Sequence, residues 1–270
     1  MKIAYQGEPG AYSEEAVAAL FPTGDPIGYP TFRLAFDALV SGEVDLAVLP
    51  VENSSAGVVQ EVSDQLWERP GLRISREHIQ PVRHCLLGWE GTEVVRAISH
   101  PQALAQCDSW LHERGIQPVA YHDTAGAARR VAEQREPGVA AVASRAAATR
   151  YGLTVLAEGI QDNADNQTRF LVVERGKPGR PAQGGRGTKC SLAVITAHRP
   201  GSLAHALDCF ARRGVNLTRL DSRPMQEAPF QYRFYLDFEV GEPEAAEEAL
   251  RDLEDSSAEV RLFGTYAAAR

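Results

Sequence analysis

Cysteine is scarce and scattered: Cys85, Cys107, Cys190 and Cys209 are the only four in 270 residues. None forms a C-x-x-C pair, and the seven histidines show neither H-x-H nor H-x-x-x-H spacing. Zinc and redox motifs are therefore absent, and no metal is expected. Dispersed thiols in a chain without secretory features point to a reducing cytoplasm. No apolar run approaches the ~20 residues needed to span a bilayer. The first residues, Met1-Lys2-Ile3-Ala4-Tyr5, enter a strand-like run rather than the apolar stretch of a secretory signal. Clustered basic residues are missing as well: 28 Lys and Arg against 36 Asp and Glu leave a net charge of −8. That balance argues against nucleic-acid binding. There is no G-x-S-x-G elbow, no Walker loop and no dinucleotide fingerprint in the GEPG turn, so neither a serine nucleophile nor a nicotinamide cofactor is indicated.

What is present is a globular composition, 44% hydrophobic, at a length that fits about two domains. The stretch RGKPGRPAQGGRGTK, Arg175 to Lys189, has five glycines, two prolines, five basic residues and no acid. Such a segment buries too little to offset its ordering entropy, and it reads as a solvated linker. Before it, strand-like runs alternate with amphipathic ones: Lys2–Gln6, Val44–Pro50, His78–Leu87, Val94–Ser99, Gln117–His122, Gly138–Ala143 and Arg169–Glu174 are the strand candidates. That alternation predicts an α/β fold with parallel sheets covered by helices, and ligands beyond the carboxyl ends of the strands. After the linker, the order is strand (Cys190–Thr196), helix, strand (Asn216–Ser222), strand (Tyr232–Val240), helix, strand (Val260–Tyr266). This βαββαβ series is ferredoxin-like, with one sheet face under two helices and the other facing water or a second copy.

Several strand ends lead into small polar residues and then a helix: Gly7 to Ser13, Ser99-His100-Pro101-Gln102, Asp123-Thr124 and Ser144. Helix N-termini gathered around a cleft suit a ligand bearing carboxylates. Glu52-Asn53-Ser54 follows the apolar run Leu46–Val51, where binding residues collect in this fold class, although an ordinary Asx turn would look the same. Asn166-Gln167-Thr168-Arg169-Phe170 packs an amide pair, a hydroxyl, a guanidinium and a ring into five positions. Arg169 could fork a carboxylate or be a plain surface cation.

Together the segments YQGEPGAYSEEA, PVENSSAG, SHPQALAQC, DTAGAA and DNADNQTRF resemble prephenate dehydratase. KCSLAVITAHRPGSLAHALDCFARRGVNLTRLDSRP resembles the ACT regulatory domain that follows it in that family. The likeness covers essentially the whole chain, in the family's order. It implies a two-lobed, periplasmic-binding-protein-like catalytic domain at 1–176, with lobes near 1–76 plus 165–176 and 77–164. A linker at 177–188 and an ACT domain at 189–270 follow. It implies a lyase that converts prephenate to phenylpyruvate, carbon dioxide and water without a cofactor. Thr168 would then assist the departing hydroxyl, with Arg169 and Phe170 completing the catalytic triplet. Glu52, Asn53, Ser54, His100, Gln102 and Thr124 would position substrate; His100 either takes part in acid catalysis or simply caps the helix that follows. Phenylalanine would be the effector, bound by Gly201, Ser202, Leu203, Asn216, Ser222, Arg223 and Pro224 in a homodimer or homotetramer. The family often has Ala at the position of Ser202 and Glu at that of Asp221, which bears on effector affinity and identity.

The resemblance leaves arogenate, the amino-acid analogue, open as the substrate. A non-catalytic two-lobed receptor would have similar lobes, but the NQTRF segment and the missing secretory signal speak against it. A transcription regulator would need a helix-turn-helix and a basic face, and the sequence has neither. A fused N-terminal mutase is not expected, because the first strand begins at residue 2.

Overall fold

The structure, a computed structural model, describes residues 1–91, 93–183, 188–225 and 228–269. The chain begins β1 (Lys2–Gln6), α1 (Tyr12–Leu20), β2 (Asp25–Tyr29), α2 (Phe32–Ser41), β3 (Leu46–Asn53), β4 (Gly57–Val58) and α3 (Gln60–Glu68). It continues β5 (Leu72–Pro81), β6 (Cys85–Gly88), β7 (Arg96–Ser99), α4 (Pro101–Ala105), α5 (Asp108–Glu113), β8 (Gln117–Ala120) and α6 (Thr124–Gln134). Next come β9 (Val139–Ala143), α7 (Arg145–Tyr151), β10 (Thr154–Glu158) and β11 (Gln167–Arg175). The last elements are β12 (Thr188–Ile195), α8 (Ser202–Ala211), β13 (Leu217–Pro224), β14 (Tyr232–Val240), α9 (Pro243–Ser256) and β15 (Glu259–Ala267). The fold is mixed α/β.

These elements divide into two compact units: Met1–Val59 with Ile79–Phe170, and Gln60–His78 with Leu171–Arg270. In the first unit, β1 pairs in parallel with β2 and β3. A second sheet runs β10-β6-β9-β7-β8. Its strand β9, Val-Ala-Ala-Val-Ala, is buried on both sides. Ala141 and Ala143 pack into the cluster under α6 and α7, while Ala140 and Val142 pack into the one that contains Leu104 and Leu111. Small and β-branched side chains alternating across the pleat let helices approach both faces closely. An all-parallel sheet was expected here. Instead β6 pairs antiparallel with both β9 and β10, and only β7 is parallel to its neighbours β8 and β9. The predicted strand His78–Leu87 is likewise two strands, β5 and β6, interrupted at 82–84.

In the second unit β12, α8, β13, β14, α9 and β15 follow the expected βαββαβ order, with strands arranged β13-β14-β12-β15 and β15 joined in parallel to β5. Leu236, Phe238 and Val240 of β14 are buried with Phe210 of α8 and Leu250 and Leu253 of α9. The opposite face departs from expectation. It was to meet water or a second copy, yet α3 lies against part of it. Arg219 donates to Ser63 Oγ (3.0 Å), Arg223 to Asp64 Oδ2 (2.9 Å) and Tyr235 to Asp64 Oδ1 (3.1 Å). The guanidiniums of Arg233 and Arg261 lie 3.8 and 4.1 Å from the Trp67 ring centre. Charged and aromatic side chains on an otherwise open sheet face are what allow a polar helix such as α3 to dock there. Residues 60–78, of which 60–76 were anticipated within the first lobe, group with the C-terminal elements.

Of the anticipated linker 177–188, residues 184–187 lie outside the described residues. The part before them is not a free tether. Arg180 forks Glu254 (2.9 and 3.0 Å) and also reaches Glu247 (2.7 Å), and Pro181 is buried. A composition-based reading treats such a stretch as solvated; a bidentate arginine on the acidic face of α9 supplies the ordering it missed.

Candidate active site

Strands of the first unit end on a common cavity of about 450 Å³. Gln6 and Gly7 reach it from the end of β1, Pro50 and Asn53 from β3, His100 from beyond β7, and His122 to Thr124 from beyond β8. Polar residues collect there because a strand's carboxyl end leads directly into the next helix N-terminus. Three such N-termini line the cavity: Ala11 to Ser13 at α1, His100, Gln102 and Ala103 at α4, and Asp123 and Thr124 at α6. Among the described lining residues there is no Lys or Arg. Any attraction for an anion comes from helix N-termini and neutral donors rather than from formal charge.

The period of β11 sorts the Thr-Arg-Phe triplet. Thr168 and Phe170 line the cavity, whereas Arg169 between them does not. Successive side chains on a strand point to opposite faces. Arg169 is buried and pairs with Glu52 at 3.5 Å, and Glu52 does not line the cavity either. Arg169, left open between a carboxylate fork and a surface cation, is here a buried side chain paired with the chain's own Glu52. Ser54 is also elsewhere. Its hydroxyl accepts from the Gln167 N–H (3.0 Å) and donates to the Asp165 carbonyl (3.4 Å), tying down the start of β11. Asn53, His100, Gln102, Thr124, Thr168 and Phe170 are brought to one place.

Asn53 organises one wall. Its Oδ1 accepts from the N–H groups of Ser55 (3.0 Å) and Ala56 (2.8 Å), the Asx turn. That fixes which end of the amide is which. Its Nδ2 therefore donates, its two protons shared among Asn166 Oδ1 (2.8 Å), the Gln167 carbonyl (3.1 Å) and Thr168 Oγ1 (2.9 Å). Asn166 is thereby oriented too, and its Nδ2 donates to Gln106 Oε1 at 3.0 Å. Because Thr168 Oγ1 already accepts from Asn53, its own proton is left to donate. His100 Nδ1 accepts from Gln102 N at 3.2 Å, so the imidazole caps α4 and its Nε2 is the remaining polar atom. Asp123 caps α6 in the same way through Gly126 N.

Tyr12, His84 and Gln106 also line the cavity, and none of them was singled out from sequence. Tyr12 and Gln106 stand inside recognisable motifs; His84 stands in none, and no spacing signal marks it. At one side of the site, Glu8, His122 and Asp123 converge within ligand reach of one another. Both Glu8 oxygens are forked by Arg129 (2.7 and 2.8 Å), and that hydrogen bonding holds the Glu8 carboxyl below the usual range. Glu8 is thus committed to an arginine, and His122 Nε2 lies 2.7 Å from Asp123 Oδ2.

Gly10 carries the loop after β1 past α7. Its φ is +91°, and a Cβ there would stand 2.9 Å from Ala147 Cα. Ser144 Oγ donates to the Gly10 carbonyl at 2.8 Å. Gly10→Ala is expected to destabilise the protein by about 2–4 kcal/mol, from backbone strain plus a backbone clash that no rotamer relieves. Urea midpoints of wild type and variant measure it; equal midpoints would show that the loop yields freely.

The expected effector residues do not share one place within the chain. Gly201, Ser202 and Leu203 line a cavity of about 270 Å³ with Gln231, Tyr232 and Phe234. Arg223 and Pro224 line another, beside Asp64 and Trp67. Asn216 donates to Glu239 Oε2 at 3.0 Å. Ser222 is exposed on β13.

The model of the prephenate dehydratase family matches residues 3–178. Arogenate dehydratase/prephenate dehydratase 2 of Arabidopsis thaliana, a chloroplastic protein, is 42% identical over 279 residues, covering 98% of this chain and 72% of its own. A solved structure described as a novel type of quorum-quenching acylase, GqqA, is 38% identical with a TM-score of 0.90 over 99% of this chain and 98% of that one. The prephenate dehydratase of Arthrobacter aurescens, solved in complex with L-Phe, is 32% identical with a TM-score of 0.90, over 99% and 90% of the two chains.

Proposed function

The chain belongs to the prephenate dehydratase family of lyases, and on that premise we propose that its cavity aromatises prephenate to phenylpyruvate with loss of carbon dioxide and water. The single observation that carries this reading is Thr168 Oγ1: it lines the cavity while accepting from Asn53, so the hydroxyl proton is left free to donate to a ligand there. In the reaction, the bond between the ring and its carboxylate breaks. Its electron pair moves into the ring, and the C–O bond at the opposite carbon breaks. The departing hydroxyl takes up one proton overall and leaves as water. A neutral alcohol is a weak acid, but a preorganised donor in a water-poor site stabilises charge as it develops on that oxygen. Phe32, Val59 and Phe170 supply an apolar wall for the ring. The N-termini of α1 and α6 provide N–H groups for the two carboxylates; at α4 Pro101 has none and that of Gln102 is held by His100.

Arogenate is an equal candidate, since the Arabidopsis relative carries both substrates in its name. The two differ in an ammonium or a keto oxygen on the side chain. Acylase chemistry, which the description of GqqA names, fits this site less well. A hydroxyl nucleophile needs a base to take its proton, and the amide bonded to Thr168 donates instead of accepting. The C-terminal βαββαβ part is read as an ACT domain that senses phenylalanine, with Gly201 to Leu203 as the contact. Ser202 Oγ there is buried with no hydrogen-bond partner among the described residues, which leaves it available to a ligand. The relative from Arthrobacter aurescens was solved with L-Phe.

The test is to incubate the protein with prephenate at neutral pH and follow phenylpyruvate above the enzyme-free rate, then repeat with arogenate and with added phenylalanine. Phenylpyruvate formation that falls with phenylalanine is the expected result. A higher kcat/KM on arogenate moves the assignment to that substrate. No turnover of either overturns it.

A further inference from the structure

His84 is 2% exposed, lies outside every motif, and has no part in the mechanism above. Its two ring nitrogens are both engaged. Nε2 lies 2.8 Å from Gln106 Oε1, and Nδ1 lies 2.9 Å from the Tyr12 hydroxyl. The direction of each bond follows from groups whose polarity is already fixed. The backbone N–H groups of Ser55 and Ala56 set Asn53, Asn53 sets Asn166, and the Asn166 amide donates to Gln106 Oε1. An oxygen that already accepts from Asn166 can only accept again, so His84 Nε2 must carry the proton. In the neutral ring Nδ1 is then the acceptor, and the single proton of the Tyr12 hydroxyl is shared between it and the Arg83 carbonyl, each 2.9 Å away. The direction from His84 to Gln106 is thereby fixed, with Tyr12 held between the imidazole and the Arg83 carbonyl. The Gln106 Nε2 end, whose one bond among the described residues is a long 3.5 Å contact to Asn53 Oδ1, keeps donor capacity on the cavity side.

We propose that His84, seated by Tyr12, is a positioning residue that holds the Gln106 carboxamide with its N–H presented to the substrate. Without His84, Gln106 Oε1 retains only the Asn166 bond, and the amide can swing. Burial fits the role, because it favours the uncharged imidazole and pushes the His84 pKa down. The kinetic part of this proposal rests on the dehydratase reading of the cavity; the tautomer does not.

Two measurements test it. In protein labelled with 15N-histidine, two-dimensional NMR reads the tautomer of the resonance lost in His84→Leu. A protonated Nε2 with a bare Nδ1 is expected, and the reverse tautomer overturns the proposal whatever the enzyme turns over. Kinetically, His84→Leu is expected to lower kcat/KM roughly 10- to 100-fold, the scale of a misplaced binding group. Because the effect passes through Gln106, it is expected to add little when Gln106 is already Ala. Full additivity, or wild-type kinetics, would show that His84 serves the fold alone. His84→Gln, whose amide can still donate towards Gln106, is expected to recover part of the loss. Should His84→Leu unfold, Tyr12→Phe removes a single oxygen and is expected to cost roughly 2- to 10-fold, with the same non-additivity. If wild type turned over neither prephenate nor arogenate, the functional reading would fall while the tautomer still stood or fell independently.

Discussion

Thr168→Ala is expected to lower kcat by about 10²- to 10⁴-fold, the usual contribution of a positioned proton donor, with the fold intact. Thr168 sits on β11, and its hydroxyl spends its acceptor side on Asn53 Nδ2 at 2.9 Å. The methyl side chain left behind is smaller, so substrate still fits and KM changes less than kcat. Thr168→Ser is the matching control. It keeps the oxygen and the Asn53 bond but loses the β-methyl that restricts χ1. Activity within about tenfold of wild type is expected, since the donor survives with more rotamer freedom. Steady-state kinetics on prephenate and on arogenate decide it. Near-wild-type kcat in the alanine variant would remove Thr168 from the chemistry, and a serine variant as inactive as alanine would show that proton donation does not explain the position.

What could be read in the sequence followed periodicity. Lys2–Gln6 and Tyr232–Val240 have the predicted bounds because each is a clean run ended by turn residues. Asp25–Tyr29 was missed because Asp, Pro and Gly occupy three of its five positions; it forms because β1 offers a parallel partner, as the register Ala4 to Ile27 shows. Thr154–Glu158 was missed because it pairs only on one side, with β6, and its pattern is interrupted by a bulge between Val155 and Ala157. At the site, motifs named Asn53, Thr168 and Gln102 by family likeness, while geometry separated their neighbours. Arg169 illustrates a signal that was present and unused: once 167–175 is a strand, the period of two places it opposite Thr168 and Phe170. His84 had no such signal. Its place is set by the break between β5 and β6 and by partners 22 and 72 residues away in sequence. The covering of the β13–β14 sheet by α3 was equally hidden, since it joins residues about 160 positions apart.

Asn53→Asp is expected to cost as much as losing the Thr168 hydroxyl, from a change of one atom. The new carboxylate keeps its Oδ1 bonds to the Ser55 and Ala56 amides, so the turn survives. Its other oxygen replaces a donor that now faces Asn166 Oδ1 at 2.8 Å, the Gln167 carbonyl at 3.1 Å and Thr168 Oγ1 at 2.9 Å. Two of these three can only accept there, given the orientation of Asn166. Thr168 alone can answer the carboxylate, and it does so by turning its proton away from the substrate. A kcat lower by about 10²-fold or more is expected at neutral pH. The pH dependence separates this cause from a loss of packing. Burial and three facing oxygens raise the folded pKa of the introduced carboxyl above its unfolded value. Below that folded pKa the group is a neutral acid whose O–H again donates to Thr168 Oγ1, restoring the arrangement in wild type. Activity of the variant relative to wild type should therefore climb as pH falls. So should its stability, because a raised folded pKa stabilises the native state at low pH and is lost as pH rises through it. Rates must be taken above the enzyme-free blank, since prephenate aromatises in acid by itself. A variant whose deficit stayed constant from pH 8 to 5 would mean that Asn53 matters to the shape of the wall and not to the direction in which the threonine proton points.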